Sequence, residues 1–177
     1  MTGLLAKTVR DQRRALVGWG IGLFALATFY AAFYPSVLKT SSALARYLQN
    51  MPAAFRNLIG GDFSSPAGYL RAETFSTLGP ILFLVFAIGA GARAVAGEEE
   101  AGTLDLLLST PIRRRQVVID KAVATVLTAA ALALVLFAAL ALVGPRFKLH
   151  IAVANLAAAC AMLFLLAIAF GAIALAI

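Results

Sequence analysis

The sequence predicts an all-α fold, a polytopic bundle of about four membrane-spanning helices with two short accessory helices on one side. Three observations carry this. Of the 177 residues, 62% are hydrophobic and 13% are charged, against about 45–50% and about 25% in ordinary soluble domains. A soluble chain of this length could not bury so much apolar surface, so lipid must cover part of it. Finally, the charges are confined to residues 1–14, 39–73, 93–121 and 146–148, and the stretches between them carry none, as expected of spans separated by loops.

The elements follow in order. Residues 1–14 place Leu5 and Val9 four apart among Lys7, Arg10, Arg13 and Arg14. They read as an amphipathic helix lying on the membrane surface, or else as a solvated basic tail. Residues 15–34 are uncharged, and twenty helical residues rise about 30 Å, the thickness of the hydrocarbon core. Pro35 is expected to end this first span. Its apolar run is too long for a cleaved signal peptide, whose core is usually about 7–15 residues.

Residues 35–76 are mixed and read as an outer loop with short helices. Leu44, Tyr47, Leu48 and Met51 repeat at helical spacing. Gly60 and Gly61 interrupt the stripe that follows. Ser65–Pro66 is a helix cap followed by a first-turn proline. Residues 77–96 form the second span, with Pro80 placed to kink it. Ala87 and Gly91, and Ala92 and Ala96, sit four apart, a spacing of small residues that lets helices approach closely in lipid. Arg93 lies near the end, where it can snorkel to the headgroups.

Residues 97–121 form a cytoplasmic loop. Gly97 can end the second span. Glu98, Glu99 and Glu100 suit the start of a new short helix, because negative charge is favoured at a helix N-terminus. Leu104, Leu107 and Leu108 share one face of that helix, and Thr110–Pro111 caps another that runs into the third span. The apolar ridge needs a covering surface. The basic N-terminal helix could supply it, and so could another protein; the residues alone favour neither. Residues 122–144 are the third span, GPRFKLH is a tight hairpin, and residues 151–177 are the fourth span.

The orientation follows from Lys and Arg. A cytoplasmic N-terminus puts nine of them inside and six outside. Arg13 and Arg14, directly before the first span, favour this arrangement; Arg146 and Lys148 oppose it.

Several function classes are excluded or weakened. The basic residues flank apolar segments, where membrane charge rules and anionic headgroups account for them, so nucleic acid is not the expected partner. The single cysteine, Cys160, lies in an apolar run, which precludes an internal disulfide and suits core packing. The chain contains neither G-x-x-x-x-G-K-[ST] nor H-E-x-x-H, and its one histidine, His150, falls at a membrane edge. No ionisable residue is expected deep in a span, which weakens an ion-coupled carrier. Asn155 in the fourth span reads as an interhelical hydrogen-bond partner.

The run from Gly97 through Glu98-Glu99-Glu100-Ala101-Gly102-Thr103-Leu104-Asp105 and Leu106-Leu107-Leu108 to Pro111, Arg113 and Arg114 resembles the hallmark of type-2 ATP-binding-cassette exporter permeases. In that family a glutamate, Gly-Thr-Leu, a leucine run, a proline and a basic residue lie between the second and third spans. The basic N-terminal helix and the Pro66-Ala67-Gly68-Tyr69-Leu70 stretch resemble the family as well.

The resemblance implies one transmembrane permease domain over residues 1–177. It would pair with a second permease copy or homologue; the apolar spans place it in membrane lipid as a multi-pass protein, and the high alanine content points to a GC-rich bacterial source and so to the bacterial plasma membrane. The resemblance also implies that the loop holds a coupling helix that docks on a separate ATPase subunit. Glu98, Glu99, Glu100, Gly102, Thr103, Leu104, Leu107, Pro111 and Arg113 are then the coupling positions. ATP and magnesium would bind the partner, so no cofactor and no catalytic residue is expected in this chain. The family normally has six spans; with four here, the last two are expected to be missing. The competing readings are a membrane scaffold that uses the same loop without transport, and an ion-coupled carrier.

Overall fold

In the computed structural model the backbone is described for residues 2–49, 65–100 and 114–176, and side chains for 13–37, 65–93 and 117–176. The described residues are almost entirely helical and contain no strand. Four helices are long and apolar enough to cross a membrane, over Arg13–Val37, Pro66–Arg93, Val117–Phe147 and Val153–Ala176.

The first helix, α1 (Thr2–Gln49), is continuous and contains Pro35. Two expectations are thereby corrected. The basic N-terminal segment and the first span are one helix, and Pro35 does not end it. A proline removes one backbone hydrogen bond, but Ala31 and Tyr34 just before it are buried against the other helices, and packing of this kind lets a membrane helix tolerate the loss. Leu44, Tyr47 and Leu48 lie in the last described turns of α1, so the segment between the first two membrane helices is shorter than residues 35–76; Met51, Gly60 and Gly61 lie outside the described residues.

The second membrane helix begins where the sequence places its cap. Ser65 is extended at φ −95°, ψ 144°, and its hydroxyl accepts a hydrogen bond from the Gly68 N–H at 3.1 Å, with Pro66 in the first turn. A short helix α2 (Pro66–Leu70) runs into a π-helical stretch, Arg71–Leu78, and on into α3 (Gly79–Glu100). The span thus starts near Pro66 rather than at residue 77. Arg71 and Glu73 made this stretch resemble a loop, yet the helix carries them within its first turns.

The wide turn precedes Pro80. A proline ring presses on the carbonyl four residues back, and π geometry, with the Gly79 N–H bonded to the Thr74 carbonyl, moves the preceding turn aside. A Cβ at Gly79 would collide with that same Thr74 carbonyl, so only glycine fits there.

Helix α4 (Arg114–Val143) passes through a 3-10 turn, Gly144–Phe147, into a hairpin. Lys148 closes it with φ 64°, and the Leu149 N–H reaches the Gly144 carbonyl at 3.0 Å. Helix α5 (Val153–Ala176) follows. Asn155 is exposed in the first turn of α5 rather than between helices, which corrects the role expected for it.

The helices alternate in direction and pack as two pairs, α1 on α4 and α3 on α5, joined through the α4–α5 contact. One continuous core holds Leu23, Ala27, Ala31 and Tyr34 of α1, Phe83, Phe86 and Ala87 of α3, Leu132 and Leu136 of α4, and Leu156, Cys160, Leu163 and Ala167 of α5. Trp19 meets Phe86 edge-on at 5.9 Å, and Tyr34 lies 5.3 Å from Tyr69. Phe24, Phe29, Phe33, Ile81, Val85, Leu134 and Leu142 instead face outward, the arrangement expected where lipid is the solvent and small residues set the helix spacing.

Candidate functional site

The segment between the second and third spans is bracketed by the end of α3 and the start of α4. The backbone of α3 continues through Gly97 to Glu100. Gly97 therefore does not end the helix, and Glu98, Glu99 and Glu100 belong to α3 rather than to the start of a new one. A single glycine costs a helix only about 1 kcal/mol relative to alanine, too little to force a break. Gly102, Thr103, Leu104, Leu107, Pro111 and Arg113 lie outside the described residues. Helix α4 is described from Arg114 and runs without interruption into its span; the start expected at Thr110–Pro111 lies outside the described residues.

The helix ends that carry this segment are tightly held. Gly91 of α3 lies so close to α5 that an added Cβ would stand 2.7 Å from the Gly171 carbonyl oxygen and 2.9 Å from the Ala174 Cβ. Gly171 in turn faces Thr125 of α4 and Ala87 of α3. The predicted small-residue pair Ala87 and Gly91 thus forms the three-helix junction. Ala92 of the second pair is exposed instead.

The sequence reading missed the polar face of α4 near the same end. Asp120 and Lys121 are only 4% and 5% exposed, and Thr125 and Thr128 are buried beside them. Burying charge is costly without compensating polar contacts, so these two residues mark the N-terminal end of α4 as a built structure rather than a loop. Spacing gives the signal: Lys121, Thr125, Thr128 and Leu132 recur every three or four residues, on one helix face. The threonine hydroxyls are satisfied locally. Thr125 donates to the Lys121 carbonyl at 3.0 Å, and Thr128 donates to the Ala124 and Thr125 carbonyls at 3.0 Å.

Arg93 also differs from expectation. Its guanidinium lies back along α3, within reach of a Cβ placed at Gly89. Helical side chains lean toward the N-terminus, and on this helix that direction leads away from the Glu100 end. The bare backbone of Gly89 leaves room for it.

The described residues form a bundle of four apolar helices, with α3 carrying Glu98–Glu100 and leading into the segment before α4. The family model described as ABC-2 family transporter protein matches residues 3–177. The chain belongs to the ABC-2 family of transporter proteins. It is a multi-pass membrane protein and a membrane permease component of an ABC transporter. No curated protein and no solved structure matches it. Family membership makes the chain a transport subunit, and subunits of this family generally work with an ABC ATPase.

Proposed function

We propose that this chain is the permease subunit of an ATP-driven exporter. It contributes helices to the translocation path and couples through residues 97–113 to a separate ATPase subunit, which binds the ATP and magnesium. Glu98, Glu99, Glu100, Gly102, Thr103, Leu104, Leu107, Pro111 and Arg113 form the coupling segment. The chain pairs with a second permease, sits in a bacterial plasma membrane and keeps its N-terminus in the cytoplasm. The carrying observation is the match to the ABC-2 family across residues 3–177.

The fold supports this reading through the rigidity of the helices on either side of the segment. The Gly91–Gly171 contact and the buried Asp120–Thr128 face of α4 would transmit a push on the segment into the bundle, because packed cores shift as units. Glu99→Ala and Leu104→Ala in the assembled transporter should lower its transport-linked ATP hydrolysis while leaving the helical content and thermal stability of the spans intact. Unchanged hydrolysis in both variants would remove the coupling role.

A further inference from the structure

We propose that the groove between α1 and α4 is a binding site for one acyl chain of an anionic phospholipid, with Arg13 receiving the headgroup phosphate. The groove has a volume of about 600 Å³. It is lined on α1 by Leu16, Gly20 and Phe24 and on α4 by Leu132 and Val135, with Arg13 the one charged residue on its wall among the described residues. On α1 it runs from Arg13, the first residue of the membrane-crossing segment, to Ala25. Twelve helical steps rise about 18 Å, close to the depth of one leaflet in a hydrocarbon core about 30 Å thick.

Charge at the mouth and an apolar floor below it match a phospholipid's own profile. A phosphate meets a guanidinium through paired, charge-assisted hydrogen bonds, and a basic side chain near the surface attracts anionic lipid. The match holds whichever leaflet α1 enters from.

Gly20 lies on the groove wall. A Cβ there would meet nothing within 4 Å among the described residues, so a bulky residue at this position would project into the groove and fill it. Two other cavities lack this combination. One at the hairpin, about 370 Å³, is lined by Leu70, Pro145, His150 and Leu156 among others, and one between α4 and α5, about 170 Å³, has no charged residue on its wall among the described residues. A second copy of this chain fits the groove less well. A two-fold contact presents the same patch from both sides, which would bring two Arg13 side chains to the same depth.

The test is native mass spectrometry of the chain, delipidated in detergent and then offered equal amounts of phosphatidylglycerol and phosphatidylcholine with the same acyl chains. The wild type should retain phosphatidylglycerol over phosphatidylcholine by about fivefold, the factor expected from one basic side chain at the surface. Arg13→Gln should bring the two lipids level. Gly20→Leu should lose the tightly held lipid of either kind. Gly22→Leu, on the same helix, equally free of neighbours and outside the groove wall, should behave as wild type. Circular dichroism of each variant verifies the fold. Equal retention of both lipids by the wild type would overturn the proposal. So would undiminished lipid on Gly20→Leu, or a Gly20→Leu variant whose only change is from dimer to monomer.

Discussion

At the scale of single residues, glycine positions separate packing from exposure. Gly91 faces the Gly171 carbonyl and Ala174 at less than an ordinary contact distance for an added Cβ, whereas Gly18 has nothing within 4 Å. Gly91→Leu should therefore destabilise the α3–α5 junction by about 1–3 kcal/mol, the usual cost of overpacking, and more if the backbones must part. Gly18→Ala should be neutral or slightly stabilising, since it swaps a poor helix former for the best one. Thermal unfolding in detergent reads both. Thr74 offers a second test. Its hydroxyl oxygen is fully buried and has no hydrogen-bond partner among the described residues. An unsatisfied buried hydroxyl costs about 1–3 kcal/mol, so the isosteric Thr74→Val should raise the melting temperature; a clear fall would mean that the hydroxyl makes a polar contact of its own. The Ala87–Gly91 pair could be read from spacing alone. Which of the alanine pairs faces a neighbour could not, because Ala87 and Ala92 are alike to the chain and differ only in what packs beside them.

At the scale of elements, the apolar runs located all four spans, and the Ser65–Pro66 cap marked a helix start correctly, although that helix is the beginning of the second span and not a short helix of the preceding loop. Pro35 misled: it sits inside α1, whereas Pro80, placed to kink the second span, follows a π-helical stretch. Local rules place a proline at a break, while tertiary packing of Ala31 and Tyr34 holds α1 together across Pro35. The face that each helix buries was also hidden. Core and lipid-facing residues are equally apolar, so hydropathy has no contrast to show. Size does not separate the faces either: alanines at 27, 31, 87, 139 and 167 are inside, but so are Tyr34, Phe83 and Phe86, while Phe29, Phe33 and Leu134 face outward. The hairpin between α4 and α5 carries its own prediction. Lys148 is held at φ 64°, a conformation that costs an L-residue about 1–2 kcal/mol and glycine little. Lys148→Gly should stabilise the hairpin by about 0.5–1 kcal/mol once the extra chain entropy of glycine is offset. Lys148→Val should destabilise it, and the two melting temperatures should bracket the wild type.

At the scale of the whole molecule, the family and the membrane bundle were both legible in the sequence, the first from the Glu98–Arg114 run and the second from composition. The buried Asp120–Lys121 pair was not, since ionisable residues beside a loop read as solvated until the third dimension folds them in. The structure places Glu98–Glu100 at the end of α3, and the central claim is that these glutamates and the residues after them are where an ATPase takes hold. The most direct test is to purify the chain in detergent from its native membranes, assay the preparation for ATP hydrolysis, and repeat with Glu98, Glu99 and Glu100 all replaced by alanine. The account predicts a co-purifying ATPase with the wild type and its loss with the triple variant, whose helices remain folded. An intact wild-type chain that brings no ATPase, or a triple variant that retains it in full, would contradict the claim.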